Sequence, residues 1–185
     1  MPNILTALRF ILTIQFICAL LGRFNHVSTA IPAGPYILFA LICLTDLLDG
    51  AAARGLHAQT AFGAALDVAA DLLFMISSFV LFNISGVLPV WFTVFVAADF
   101  LVFLSTSRVL THTKGNDSRK ALVFDADGRA AAVLFYLIPA AACWAYDNPG
   151  FLSAFALNAL LYTSVILAGV AVFKRCILCL RTKGV

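Results

Sequence analysis

The sequence predicts an all-α integral membrane protein with six transmembrane helices, and three observations carry that prediction. The 185 residues are 63% hydrophobic and only 11% charged, with a mean hydropathy of +1.02. That balance suits lipid rather than a soluble core. Apolar stretches recur along the whole chain, each near the roughly 20 residues that a hydrocarbon core requires. Counted as spans, they sort the lysines and arginines almost entirely to one side.

The spans are expected near residues 4–22, 34–53, 61–82, 87–107, 130–146 and 151–173. The breaks between them are turn chemistry: Pro32 with Gly34-Pro35, Asn83 to Gly86, the polar run Thr111 to Arg129, and Asp147-Asn-Pro-Gly150. No soluble domain or internal repeat interrupts the pattern, so residues 1–185 read as one membrane domain. Arg54, Arg108, Lys114, Arg119, Lys120, Arg129, Lys174, Arg175, Arg181 and Lys183 then share a side, with Arg9 close to it, and only Arg23 lies opposite. The positive-inside rule makes that side, and both termini, cytoplasmic. The first span faintly imitates a signal peptide, but Arg23 and His26 follow it, and its removal would invert the charge pattern. The net charge of +3 is too small to argue for nucleic acid. Cys18, Cys43 and Cys143 sit in apolar spans and read as small packing residues. Cys176 and Cys179 form a single Cys-x-x-Cys without a second ligand pair, which reads as plain reduced thiols.

Four of the nine aspartates interrupt the second and third spans. Asp46 and Asp49 are three apart, and Asp67 and Asp71 four apart, so each pair shares a helix face. A carboxylate at membrane depth costs about 2.5–3.5 kcal/mol even on lenient scales, so four together point to function. Gly55 to Thr60 can turn the chain, making the two helices antiparallel neighbours with converging carboxylates. Oxygen ligands without His or Cys suit Mg²⁺ or Mn²⁺, and four carboxylates can hold two such ions, an arrangement used in phosphoryl transfer. Gly50 permits close approach to the backbone, Gly63 permits close helix packing, and Arg54 is a planar donor suited to phosphate. A different chemistry for the same acids is a small cation transporter with an aspartate cage; it predicts broken helices in inverted repeats, which the sequence lacks.

The stretch Asp46-x2-Asp49-Gly50-x2-Ala53-Arg54-x8-Gly63-x3-Asp67-x3-Asp71 resembles the signature of the CDP-alcohol phosphatidyltransferases at every fixed position. The opening Pro2-Asn3-x-Leu5-Thr6-x-x-Arg9 looks like that of the phosphatidylglycerophosphate and cardiolipin synthase branches. The resemblance implies a six-helix membrane enzyme that transfers a phosphatidyl group from CDP-diacylglycerol to a small alcohol or alcohol phosphate and releases CMP. Glycerol 3-phosphate is the first acceptor it implies and phosphatidylglycerol the second. Asp46, Asp49, Asp67 and Asp71 would hold two Mg²⁺ or Mn²⁺ ions, and Asp71 would also take the acceptor's proton. Gly50 and Arg54, with Asn3, Thr6 and Thr60, would bind the nucleotide. Arg129 and Arg108 are acceptor-binding candidates in the basic fourth connection.

The distribution of bases places the expected active site near the cytoplasmic face, and the chain is expected in the inner membrane of a bacterium. Family members are often homodimers, although the chain has no GxxxG pair to support one. Asn3 would serve equally as a helix cap and Thr60 rather better as one, and the bases of the fourth connection would serve as positive-inside retention signals. Two departures from the glycerophosphate branch concern the acceptor: Ala132 stands where a Thr is usual, and Ala98-Asp99 where an Arg followed by an acid is common. Asp99 is expected to face the cavity or to pair with Arg108.

Overall fold

Six helices follow one another: α1 (Pro2–Phe24), α2 (Gly34–Gly55), α3 (Ala61–Ile84), α4 (Val90–Thr113), α5 (Ala126–Asp147) and α6 (Phe151–Lys183). The computed structural model describes the backbone of residues 2–26, 32–55, 61–113 and 126–183, and side chains within 6–26, 32–48, 67–106, 127–177 and at 179. Among the described residues, Thr6–Phe24, Asp67–Ile84, Asp127–Asp147 and Phe151–Ile177 are long and apolar enough to cross a membrane. Gly34–Leu48 and Val90–Thr106 are shorter apolar helical stretches.

The helix ends follow local chemistry. At the end of α3, Gly86 adopts φ +76°, and the amides of Gly86 and Val87 return to the carbonyls of Asn83 and Phe82 at 3.1 and 3.0 Å. This is the Schellman arrangement, which favours glycine at the left-handed position. It delays α4 until Pro89 has passed, three residues later than the apolar pattern begins. At the other end α4 runs into the polar segment as far as Thr113, since the next glycine is Gly115. Helix α5 likewise starts inside that segment, with Asp127 in its first turn, where a carboxylate complements the positive helix end. Helix α6 continues to Lys183 because no Gly or Pro separates it from Phe173. Arg175, Cys176 and Cys179 are therefore helical.

Side-chain pairs fix the directions. Thr6 meets Asp67 and Arg9 meets Asp71, so α1 and α3 are parallel. Trp91 stacks on Tyr162 while Phe103 lies under Arg175, so α4 and α6 are parallel. Lys174 of α6 reaches Asp127 at the start of α5, an antiparallel pair. The bundle is thus up-and-down, and one end gathers the start of α1, α3 and α5 with the close of α2, α4 and α6. At the opposite end Arg23 contacts Asp147 at 2.6 Å and the Pro32 carbonyl at 2.8 Å, and Tyr36 donates to Asp147 at 2.5 Å. From Arg9 to Arg23 along α1 is about 21 Å at the helical rise.

Helix α1 packs against both α2 and α3, whereas α2 and α3 make no close backbone approach among the described residues. The connection expected to join α2 to α3 lies outside the described residues. The two helices run in opposite directions, α1 contacts both, and Phe39 of α2 lies 6.3 Å from Phe74 of α3 below the site end. A buried core of Phe16, Phe74, Phe79, Phe82 and Phe92 fills the bundle, while Ile11, Leu47, Leu101 and Phe155 face outward. Cys143 is buried as expected and Cys18 is exposed. All five cysteines are free thiols.

Candidate active site

The site is built on α1. Thr6 and Arg9 are three residues apart, so they share one helix face. Thr6 donates to Asp67 Oδ1 at 2.7 Å. Arg9 donates through NH1 to Asp71 Oδ1 at 3.0 Å and forms an ion pair through NH2 with Asp46 Oδ1 at 2.8 Å. One guanidinium therefore joins a carboxylate of α2 to a carboxylate of α3. Arg9 is fully buried, while the Asp46 and Asp71 side chains keep 44% and 29% exposure. The carboxylates stand between the guanidinium and the open side.

Three of the four expected ligands, Asp46, Asp67 and Asp71, are thus brought to one place, and Asp71 lies in the field of the other two. The side chains of Asp49, Arg54, Asn3 and Arg108, together with Gly50 and Thr60, lie outside the described residues. The Thr6 hydroxyl spends its only proton on Asp67, leaving its lone pairs to accept. Arg129 is exposed in the first turn of α5.

Beside Asp71 opens a cavity of about 150 Å³ between α3, α4, α5 and α6. Its lining is mostly apolar, through residues such as Met75, Phe100 and Phe135. Asp71, Asp99, Tyr136 and Arg175 supply its charged groups and its phenol. Asp99 faces this cavity, one of the two placements expected for it, and the charge that acts on it is that of Arg175. Arg175 is buried at 4% exposure with its guanidinium 4.5 Å from the Phe103 ring centre. Gly128 also lines the cavity, next to Arg129. The Tyr136 hydroxyl is buried without a hydrogen-bond partner among the described residues.

Below the carboxylates the site is closed by an aromatic floor. Phe74, one turn beyond Asp71, lies 5.3 Å from both Phe16 and Tyr136, and Tyr136 lies 6.3 Å from Phe39. The rings come from four helices and exclude water from beneath the acids. This strengthens any electrostatic interaction above them.

Sequence reasoning missed Arg9, Arg175 and Tyr136 as site residues. Arg9 could have been found, since it shares a helix face with Thr6 in the opening motif. Arg175 was read as part of a basic tail, and only the continuation of α6 returns it to the bundle. Nothing in the sequence marks Tyr136, which α5 carries to the cavity two turns beyond Arg129.

Among the described residues no group of three or more His, Cys, Asp or Glu side chains is placed so that it could hold a metal ion. The donor chemistry nevertheless fits a hard cation. Asp46, Asp67 and Asp71 offer only oxygen, and the α1 contacts engage Oδ1 of each. Among the described residues these contacts leave Oδ2 of each carboxylate to a cation.

The sequence model of one family, CDP-alcohol phosphatidyltransferase, matches residues 1–173. Two curated relatives align with about half of the chain. A Mycobacterium tuberculosis protein named as a phosphatidylglycerophosphate synthase is 36% identical over 96 residues, which is 52% of this chain and 46% of the relative. A Mycobacterium bovis protein named as a cardiolipin synthase is 33% identical over 93 residues, which is 49% of this chain and 41% of the relative. The matched segment thus spans less than half the length of each relative.

Proposed function

The chain belongs to the CDP-alcohol phosphatidyltransferase family, and from that premise we propose that it transfers a phosphatidyl group from CDP-diacylglycerol to a small alcohol, releasing CMP. The observation that carries this reading is the gathering of Asp46, Asp67 and Asp71 beside a cavity into which Asp71 faces. The acceptor occupies that cavity. Its hydroxyl proton passes to the Asp71 carboxylate as its oxygen bonds to the phosphorus that carries diacylglycerol, and the bond from that phosphorus to the CMP oxygen breaks. Asp71 suits this task because its side chain keeps 29% exposure and is oriented by Arg9.

Asp46, Asp49, Asp67 and Asp71 would hold two Mg²⁺ or Mn²⁺ ions. When bound, such ions offset the negative charge that develops on the diphosphate. Gly50 and Arg54 bind the diphosphate of the nucleotide, with Asn3, Thr6 and Thr60 near the head group. Arg175, buried on the cavity wall, joins Arg129 and Arg108 as a candidate for the charge of an acceptor phosphate. Glycerol 3-phosphate is the first choice of acceptor, supported by a relative named as a phosphatidylglycerophosphate synthase, and phosphatidylglycerol the second, supported by one named as a cardiolipin synthase. All six helices span the inner membrane of a bacterium, with the site end and both termini cytoplasmic. That orientation is supported by the bases at the site end of the bundle.

The test is an acceptor panel. Purified protein receives CDP-diacylglycerol and Mg²⁺, candidate alcohols are added singly, and CMP release is measured. Release with glycerol 3-phosphate is the expected result. A protein that neither binds cytidine nucleotide nor releases CMP with any acceptor contradicts the reading.

A further inference from the structure

The orientation of the site's carboxylates comes from a helix that contributes none of them. Arg9 and Thr6 stand behind Asp46, Asp67 and Asp71, and each takes Oδ1. Arg9 has no exposure at all, and the hydroxyl it is paired with in sequence, that of Thr6, belongs to a residue only 2% exposed. Both side chains are buried, and the contact each is seen to make is with a carboxylate. Positive-inside retention does not explain Arg9, since it requires a base in water rather than a buried one. Burying a guanidinium is costly and is offset only where its geometry and hydrogen bonds are good. Here NH1 donates to Asp71 and NH2 lies 2.8 Å from Asp46 as an ion pair, and the two helices that carry these acids make no close backbone approach among the described residues.

We infer that Arg9 and Thr6 are positioning residues, through which α1 sets the separation and rotation of Asp46, Asp67 and Asp71 so that their second oxygens converge on a divalent cation. The inference rests on the metal-binding part of the proposed function. A guanidinium is a rigid planar fork, so NH1 and NH2 fix the distance between Asp46 Oδ1 and Asp71 Oδ1. A lysine keeps the charge but cannot bridge them in the same way. Thr6, one turn earlier, does for Asp67 what Arg9 does for Asp71. Groups that orient ligands in this manner typically govern metal affinity by 10- to 100-fold.

The experiment measures Mn²⁺ binding by electron paramagnetic resonance on the purified full chain in detergent, without lipid donor or acceptor. Arg9→Lys and Arg9→Gln are each expected to weaken Mn²⁺ binding about tenfold or more. Thr6→Val is expected to weaken it, while Thr6→Ser, which keeps the donor, stays at the wild-type value. A merely electrostatic role for Arg9 predicts tighter binding in Arg9→Gln, which removes a positive charge beside the site, and an unchanged value in Arg9→Lys, which keeps it. Unchanged or tighter binding in folded Arg9→Lys and Arg9→Gln overturns the inference, as does equal binding by Thr6→Val and Thr6→Ser. If the Arg9 variants do not elute as folded protein, the Thr6 pair decides the matter alone. Wild type that binds Mn²⁺ alongside indifferent variants overturns only the positioning role. Wild type that binds no Mn²⁺ overturns the metal reading, and this inference with it.

Discussion

The guanidinium of Arg175 lies 4.5 Å from the ring centre of Phe103, which joins α6 to α4 across the cavity that Asp71 enters. Arg175 is buried, and the carboxylate sharing its cavity from α4 is that of Asp99. Arg175 acts on Asp99 through its charge, so removing either charge raises the cost of burying the other. Arg175→Gln and Asp99→Asn should each lower the thermal midpoint in detergent. The double variant should recover part of the loss, with a coupling on the order of 1 kcal/mol. Strict additivity of the two midpoint shifts would show that the groups do not act on each other. Because Arg175 is also an acceptor candidate, Arg175→Gln should raise the acceptor KM more than the CDP-diacylglycerol KM.

Tyr136→Phe should separate substrate contact from packing. The hydroxyl makes no hydrogen bond among the described residues, so its removal should leave the thermal midpoint unchanged or slightly raised. If the phenol donates to the acceptor, kcat/KM should fall about fivefold or more, since one neutral hydrogen bond is worth roughly 1 kcal/mol. An unaltered kcat/KM would leave Tyr136 as a ring in the aromatic floor.

Asp71→Asn keeps the shape and one oxygen but removes the basic site. Turnover should fall by roughly 10²–10⁴-fold, the usual contribution of a general base. Cytidine nucleotide binding should persist, because Asp46, Gly50 and Arg54 are untouched. Asp46→Asn should instead weaken metal and nucleotide binding together. CMP release and nucleotide binding, measured side by side, distinguish the two outcomes. Wild-type turnover by Asp71→Asn would remove Asp71 from the role of base.

Chelation should abolish CMP release, and Mg²⁺ or Mn²⁺ should restore it. An all-oxygen donor set is poorly matched to zinc. Restoration by Zn²⁺ alone would contradict the assignment.

A cysteine placed at Asn116, in the basic fourth connection, should be labelled from the cytoplasmic side. So should a reporter fused after Val185. Labelling of position 116 from the opposite side would overturn the orientation drawn from the bases.

The sequence by itself determined the helical membrane class, the succession of six helices and the aspartates Asp46, Asp67 and Asp71 that the fold gathers at the candidate site. Each of these depends on local chemistry: apolar length, turn residues such as Gly86 and Pro89, and the cost of placing Asp46 or Asp71 in lipid. Even the helix limits that differed, the later start of α4 and the continuation of α6 to Lys183, trace to where Gly and Pro stand in the chain. What joins the helices was not legible. The spacing of Asp46 and Asp71 indicates a shared purpose, but not that α1 contacts both of their helices or that Arg9 bridges them at 2.8 and 3.0 Å. Arg175 and Tyr136 look in sequence like a basic tail and an ordinary aromatic, and only helix packing brings them to the wall beside Asp71. Local propensity acts over one or two turns. A cavity and a shared guanidinium depend on contacts between residues as far apart in the chain as Arg9 and Asp71, and those are decided when apolar faces pack.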